Sequence, residues 1–197
     1  VNYSFFLGEA NYVGEFGLSK KNPTGWPLIV ADEGDVVEEE LAKFISLTIT
    51  KHQLERCSLK PPEKKTKFQA WVEWAYPTCE QAAAVLDKLE SSLNAMLDTG
   101  QIPPRALMRE ITLYERLVHK LKSFLENVDE SWTAELDNPE VWEFKPTWVT
   151  KFGSLFYKHG ESILAMSATM PPAKDWAKDL GITEEVTSRR QPSYFPR

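Results

Sequence analysis

Two short apolar runs constrain the fold of this chain most: Leu28 to Ala31 and Ser162 to Met166. The first follows Asn22–Pro27 (NPTGWP), where two prolines and a glycine block both helix and ladder. A run this short, bounded this way, reads as a strand buried on both faces, as in a parallel sheet. Strands of that kind belong to one α/β sheet. The long, mostly helical stretch between them therefore reads as an insertion with its own small core. The expected fold is mainly α with an α/β part: an incomplete parallel sheet carrying a mostly helical insertion that includes a small antiparallel sheet.

The insertion can be read segment by segment. Asp35 fits a helix N-cap with Glu38 three residues on, as in a capping box, and that helix should reach about Lys43. Phe44 to Thr50 is rich in β-branched residues and reads as a strand. A short helix over KHQLERCSL should end at Pro61-Pro62. Cys79 to Asp98 carries Val85, Leu86, Leu89, Leu93, Met96 and Leu97 on one stripe, with Gly100 as its stop. Ala106 to Val128 carries Leu107, Ile111, Tyr114, Leu117, Leu121 and Phe124 or Leu125. The two stripes predict an αα-hairpin. WTAEL and VWEFK, flanking Asp137–Glu140, predict a β-hairpin that joins the Phe44–Thr50 strand. Outside the insertion, Asn2 to Phe16 reads as an amphipathic helix and Thr147 to Lys158 as a second. Ala173 onward reads as a short helix stopping at Gly181, and the tail from Ser188 reads as a linker. Trp71, Trp74, Trp132, Trp142 and Trp148 are expected in cores.

Composition limits the function. The chain has 197 residues and a formal net charge of -6. A protein living mainly on phosphate contacts is usually basic, so any nucleic-acid binding here must be local. No apolar run is long enough to span a bilayer, no signal peptide opens the chain, and Val1 suggests a piece excised from something longer. Cys57 and Cys79 match neither C-x-x-C nor a metal spacing, and His52, His119 and His159 are scattered. The expectation is no metal on these residues and a cytoplasmic setting with reduced thiols.

The chemistry lies at the ends of the two strands. Ligands of open α/β sheets gather at carboxyl strand ends, where Asp32 and Glu33 would sit. Two adjacent carboxylates suit nucleotide hydrolysis: one holds Mg²⁺ and the next positions or deprotonates water. The same acids also suit the start of a helix, whose dipole favours negative charge. Ser167, Ala168 and Thr169 end the second strand, where hydroxyls either bond nearby backbone or act in a site.

Taken together, the two strand-end motifs resemble the DinG/XPD-like helicases of superfamily 2. VADEGD resembles their Walker B motif and LAMSATMP their motif III. NYSFFLGEANYVGEF resembles the approach to Walker B, and SRRQPSYFP is similar to the family's exit from the first motor domain. RLVHKLKSFLENVDESW and WEFKPTWV look like bacterial members. The resemblance implies a first RecA-like motor domain in residues 1–40 and 147–197, interrupted over residues 41–146 by an arch domain. It implies Asp32 as the Mg²⁺ ligand, Glu33 as the catalytic carboxylate, and Ser167, Ala168 and Thr169 as the link between nucleotide state and DNA movement. Asp35 stands where the family often has His, and Gly34 where Ala is usual. The parent protein would use ATP and Mg²⁺, translocate on single-stranded DNA and unwind duplexes. An iron–sulfur cluster is allowed in that parent but not on Cys57 or Cys79. No Gly in this sequence is followed by Lys, so the chain has no phosphate-cradling P-loop and is expected to be inactive alone.

DNA contacts are less defined. Lys60, Lys64, Lys65 and Lys67 lie beside Phe68 and Trp71, a pattern that either follows a strand or is a solvated loop. Arg105, Arg109, Lys120 and Lys122 read as ordinary exposed helix charges. The competing reading of the whole chain is a non-catalytic helical scaffold, or a module binding nucleic acid or protein, with the acids serving as caps.

Overall fold

The computed structural model describes residues 1–13 and 24–190, with backbone only at 12 and 13. In chain order the regular elements are α1 (Tyr3–Gly8), β1 (Ile29–Asp32), α2 (Val37–Ile45), β2 (Leu47–Thr50), α3 (Lys51–Arg56), α4 (Phe68–Asp98), α5 (Arg105–Asn127), β3 (Trp132–Glu135), β4 (Val141–Pro146), α6 (Ser154–Tyr157), β5 (Ile163–Met166) and α7 (Ala173–Asp179). They fall into two compact units, one of Val1–Phe44 with Trp148–Arg197, the other of Ile45–Thr147. The chain is thus mainly helical, with a parallel pair of strands in the first unit and a separate antiparallel sheet in the second. Among the described residues no helix is long and apolar enough to cross a membrane.

In the first unit, β1 and β5 pair in parallel, with Ile29 opposite Ile163 and Asp32 opposite Met166. Among the described residues only one face of this pair is covered. Ala31 is buried, but Val30 is 54% exposed and Leu164 47%, which corrects the expectation of strands buried on both faces. Asn2 caps α1 by accepting the Phe5 N–H at 2.8 Å. The helix then passes into a π turn at Glu9–Val13, and its expected end at Phe16 lies outside the described residues, as do Asn22 and Pro23 of the turn and the tail from 191. Phe6 is buried edge-on to Phe156 and His159, with centroids 6.1 and 6.0 Å away, while Phe5 faces out. The helix expected over Thr147–Lys158 is broken into a 3₁₀ turn, Thr150–Phe152, and the single turn of α6. Trp148, expected in a core, is 65% exposed.

The second unit is an αα-hairpin packed on a three-stranded sheet of order β2-β4-β3. Both strand pairs are antiparallel. α4 starts at Phe68, not Cys79, and runs through Pro77. Gly100 follows its C-cap with φ +70, a left-handed backbone that a side chain would strain, and its N–H closes the turn on the Leu97 carbonyl at 3.0 Å. α5 buries Ile111, Tyr114, Leu117, Leu121 and Phe124, the expected stripe. α2 continues to Ile45, so the strand expected from Phe44 begins only at Leu47. The core is aromatic: Trp71, Phe124, Trp132, Trp142 and Phe144 are all buried.

Candidate functional site

The parallel register makes β1 and β5 end together. The Asp32–Asp35 loop and the Ser167–Thr169 loop therefore leave the sheet at the same carboxyl edge. Asp32 is exposed, and its Oδ1 accepts the Glu33 N–H at 3.1 Å. Glu33 has φ 53 and ψ 48, a left-handed conformation that costs a non-glycine residue about 1–3 kcal/mol. Its carboxylate is exposed, and no side-chain bond caps the 3₁₀ turn Gly34–Val36 that it opens. A Cβ on Gly34 would meet the Ala165 Cβ at 2.8 Å, so glycine permits the close approach of this loop to β5.

Asp35 is not the helix cap its spacing to Glu38 implied. It lies inside the 3₁₀ turn, and its Oδ2 accepts a short hydrogen bond from the Thr169 hydroxyl. The Ser167 and Thr169 hydroxyls hold its carboxyl below the usual carboxylate range. Ser167 in turn accepts the Thr169 N–H at 3.1 Å, so the two hydroxyl residues form one turn that presents both to Asp35. Ala168 is exposed between them. The Asp35 Oδ1 is buried without a hydrogen-bond partner, an orphaned acceptor next to the loop end.

Two aromatic residues that the sequence reading did not single out fix the loop backbone. Tyr3 donates its hydroxyl to the Asp32 carbonyl, and Trp176 donates Nε1–H to the Gly34 carbonyl at 2.8 Å. Their only sequence signal is that Tyr and Trp carry a polar handle needing a partner when buried. Burial first, and then Asp32, Asp35 and Glu33, push the Tyr3 phenol from about 10 up to about 12. An unfolded chain ionises this group near pH 10, whereas the folded chain resists until about 12. The stability Tyr3 contributes is therefore complete below pH 10 and lost between about 10 and 12. The gap in urea midpoint between the wild type and Tyr3→Phe should narrow from pH 9 to pH 11; a constant gap would contradict the assignment.

The donor set is all oxygen and acidic, the kind a hard cation such as Mg²⁺ takes. Among the described residues no group of three or more His, Cys, Asp or Glu is placed to cage a metal ion. That is compatible with Mg²⁺, which is usually held by one or two carboxylates plus substrate phosphates.

The lysine run has a different setting. Trp71 is buried and donates Nε1–H to the Lys65 carbonyl at 2.8 Å, while Trp74 donates to the Lys60 carbonyl at 2.6 Å. Lys67 N–H closes a turn on the Lys64 carbonyl at 3.0 Å. Phe68 packs edge-on to Phe124 and tilted against Phe144, with centroids 6.5 and 5.9 Å away. The aromatics beside the lysines thus point into the core, and Lys60, Lys64, Lys65 and Lys67 stay exposed around them.

No protein-family model matches this chain, and no curated protein matches it. The residues and their geometry are what remain to read the site.

Proposed function

We propose that this chain is part of an ATP-dependent DNA helicase of the DinG/XPD-like kind, carrying the Walker B motif, the arch and motif III. One observation carries the reading: β1 and β5 end side by side, and Asp35 of one loop is hydrogen-bonded to Thr169 of the other. When bound, ATP and Mg²⁺ supply the phosphoanhydride and the positive charge that eases its cleavage. Asp32 would hold the metal. Glu33 orients the attacking water and takes its proton. Ser167, Ala168 and Thr169 sense the Walker B loop through Asp35, so that a change at the nucleotide reaches the DNA-handling part of the protein.

Single-stranded DNA and the remaining parts of the helicase are the partners this reading requires. The sequence holds no phosphate loop, so the chain alone should not hydrolyse ATP. The free, buried Cys57 and Cys79 suit a reduced cytoplasm, and an iron–sulfur cluster in the parent would use other cysteines.

The link is testable in the longer helicase. Thr169→Val removes the hydroxyl that Asp35 accepts but keeps the side-chain volume. A hydrogen bond to a charged group is worth about 1.5–3 kcal/mol. DNA-stimulated ATP turnover should fall only a few-fold, while base pairs unwound per ATP should fall by about tenfold or more. Unchanged unwinding would remove the coupling role.

A further inference from the structure

We propose that a groove between α3 and the first half of α5 docks a short acidic peptide segment of a partner protein. Arg56, Arg109 and Arg116 take its carboxylates, and Met108 and Leu113 take an apolar side chain set among them. The proposal goes beyond the ATP-site reading and does not rest on it. The groove encloses about 380 Å³, and Thr112 completes its lining. The buried Tyr114 hydroxyl donates to the Cys57 carbonyl at 3.1 Å and pins the end of α3, with Arg56, onto α5. All three arginines are exposed, and among the described residues none of them is in an ion pair. Glu55, Glu110 and Glu115 adjoin them in sequence but line no part of the groove, and Glu110 is felt instead at Cys57 and Tyr114. The Thr112 hydroxyl already donates to the Met108 carbonyl at 3.0 Å, so it asks nothing of a ligand.

Guanidinium forks bind carboxylates bidentately, so a groove with three of them and no acid in its lining is complementary to an acidic ligand. Arg109 and Arg116 stand about 10 Å apart along the helix axis. A peptide in the polyproline II conformation repeats its side-chain direction every third residue, a step of about 9 Å. Acidic residues three apart on such a peptide therefore reach both arginines from one edge. The next edge of the peptide lies over Met108 and Leu113. Met108 is exposed, and a methionine adapts its shape to varied apolar partners. A single nucleic-acid strand fits less well, because such strands stack their bases on aromatic side chains and this lining has none. The formal net charge of -6 means that the rest of the surface repels an acidic segment, so the arginines decide where it lies.

The test is fluorescence anisotropy of the purified chain with a labelled synthetic peptide of repeated Asp-Leu-Pro, a sequence suited to polyproline II. The wild type should bind it saturably. Repeats of Asn-Leu-Pro, which lack the charge, and of Asp-Ser-Pro, which lack the apolar edge, should each bind at least about tenfold more weakly. R109Q/R116Q should weaken the Asp-Leu-Pro peptide by a similar factor and leave the far-UV circular dichroism unchanged. R109E/R116E should lose that peptide and bind a Lys-Leu-Pro repeat instead, a gain that a misfolded variant would not show. No saturable binding by the wild type up to millimolar peptide, or unchanged affinity in R109Q/R116Q, would overturn the proposal. So would oligothymidylate that displaces the peptide at a lower concentration than unlabelled peptide does, since the groove would then belong to a nucleic-acid strand. None of these failures would touch the ATP-site reading, because no nucleotide is present and no residue of that site is altered.

Discussion

Trp71→Ala should destabilise the second unit by about 3–5 kcal/mol, the usual cost of deleting a buried tryptophan. Trp71 is 1% exposed and sits at the hub of the aromatic core. Its ring lies 4.9 Å from Trp142, 5.1 Å from Trp74 and 5.4 Å from Phe144. The core continues from Phe144 to Phe124 at 5.5 Å and from Phe124 to Trp132 at 5.4 Å. Truncation removes the transfer energy of the indole, leaves a cavity among rigid rings, and strips the Lys65 carbonyl of its donor. A domain stable by 5–15 kcal/mol has little room for that loss. Urea unfolding followed by far-UV circular dichroism should show it directly. Trp148→Ala, at an exposed tryptophan, should shift stability by about 0.5 kcal/mol or less. A Trp71→Ala loss below about 1 kcal/mol would mean the rings repack, and the hub assignment would be wrong.

The α5 stripe and the alternation of the three-stranded sheet were legible because they are local properties of the sequence; the stripe expected from Val85 to Leu97 is at most half-buried, and α4 buries Trp71, Ala75, Thr78, Cys79 and Ala82 instead. Where the reading failed, a local signal was outweighed by something the sequence does not display. The helix was read only from Cys79, where its apolar stripe begins, but α4 starts at Phe68 and carries Pro77 inside it, although proline removes a backbone donor and crowds the preceding turn. Yet Glu73, whose carbonyl loses that bond, and Pro77 are both exposed, so water can satisfy the orphan. Trp71, Ala75, Thr78 and Cys79 are buried on the other side and hold the helix through the break. Phe44 was read as strand because β-branched residues follow it, but α2 ends on Ile45 and claims Phe44. Trp148 shows the limit of residue type as a guide to burial, since large aromatic residues are buried only on average.

At the site, position was legible and partnership was not. The apolar runs correctly placed Asp32 and Ser167 at strand ends, but apolarity alone could not say that Val30, Leu164 and Met166 face outward. Asp35 is the clearest case. Its spacing to Glu38 matched a capping box, whereas its bonding partner, Thr169, is remote in sequence and reached only through the pairing of β1 with β5. Tyr3 and Trp176 were missed for the same reason: each is tied to the loop by a long-range bond to a backbone carbonyl.

If the proposed helicase reading holds, Glu33→Gln in the full-length parent should lower ATP turnover by about a thousandfold, or about 4 kcal/mol of transition-state stabilisation, and leave ATP binding unchanged. The amide keeps the size and hydrogen-bonding reach of the carboxylate but cannot take a proton from water. The backbone gives a way to separate chemistry from structure. Glu33 sits at φ 53 on a loop whose flanking carbonyls are held by Tyr3 and Trp176. Glutamine pays the same left-handed penalty as glutamate, so Glu33→Gln should leave the unfolding midpoint almost unmoved. Glu33→Gly relieves that penalty, and should lose turnover as fully as Glu33→Gln without losing stability. If Glu33 only shapes the loop, the two variants should diverge, with Glu33→Gln active and any loss in Glu33→Gly tracking its backbone. Turnover retained in Glu33→Gln would therefore reject the hydrolytic assignment and favour the scaffold reading, in which the acids only begin a helix.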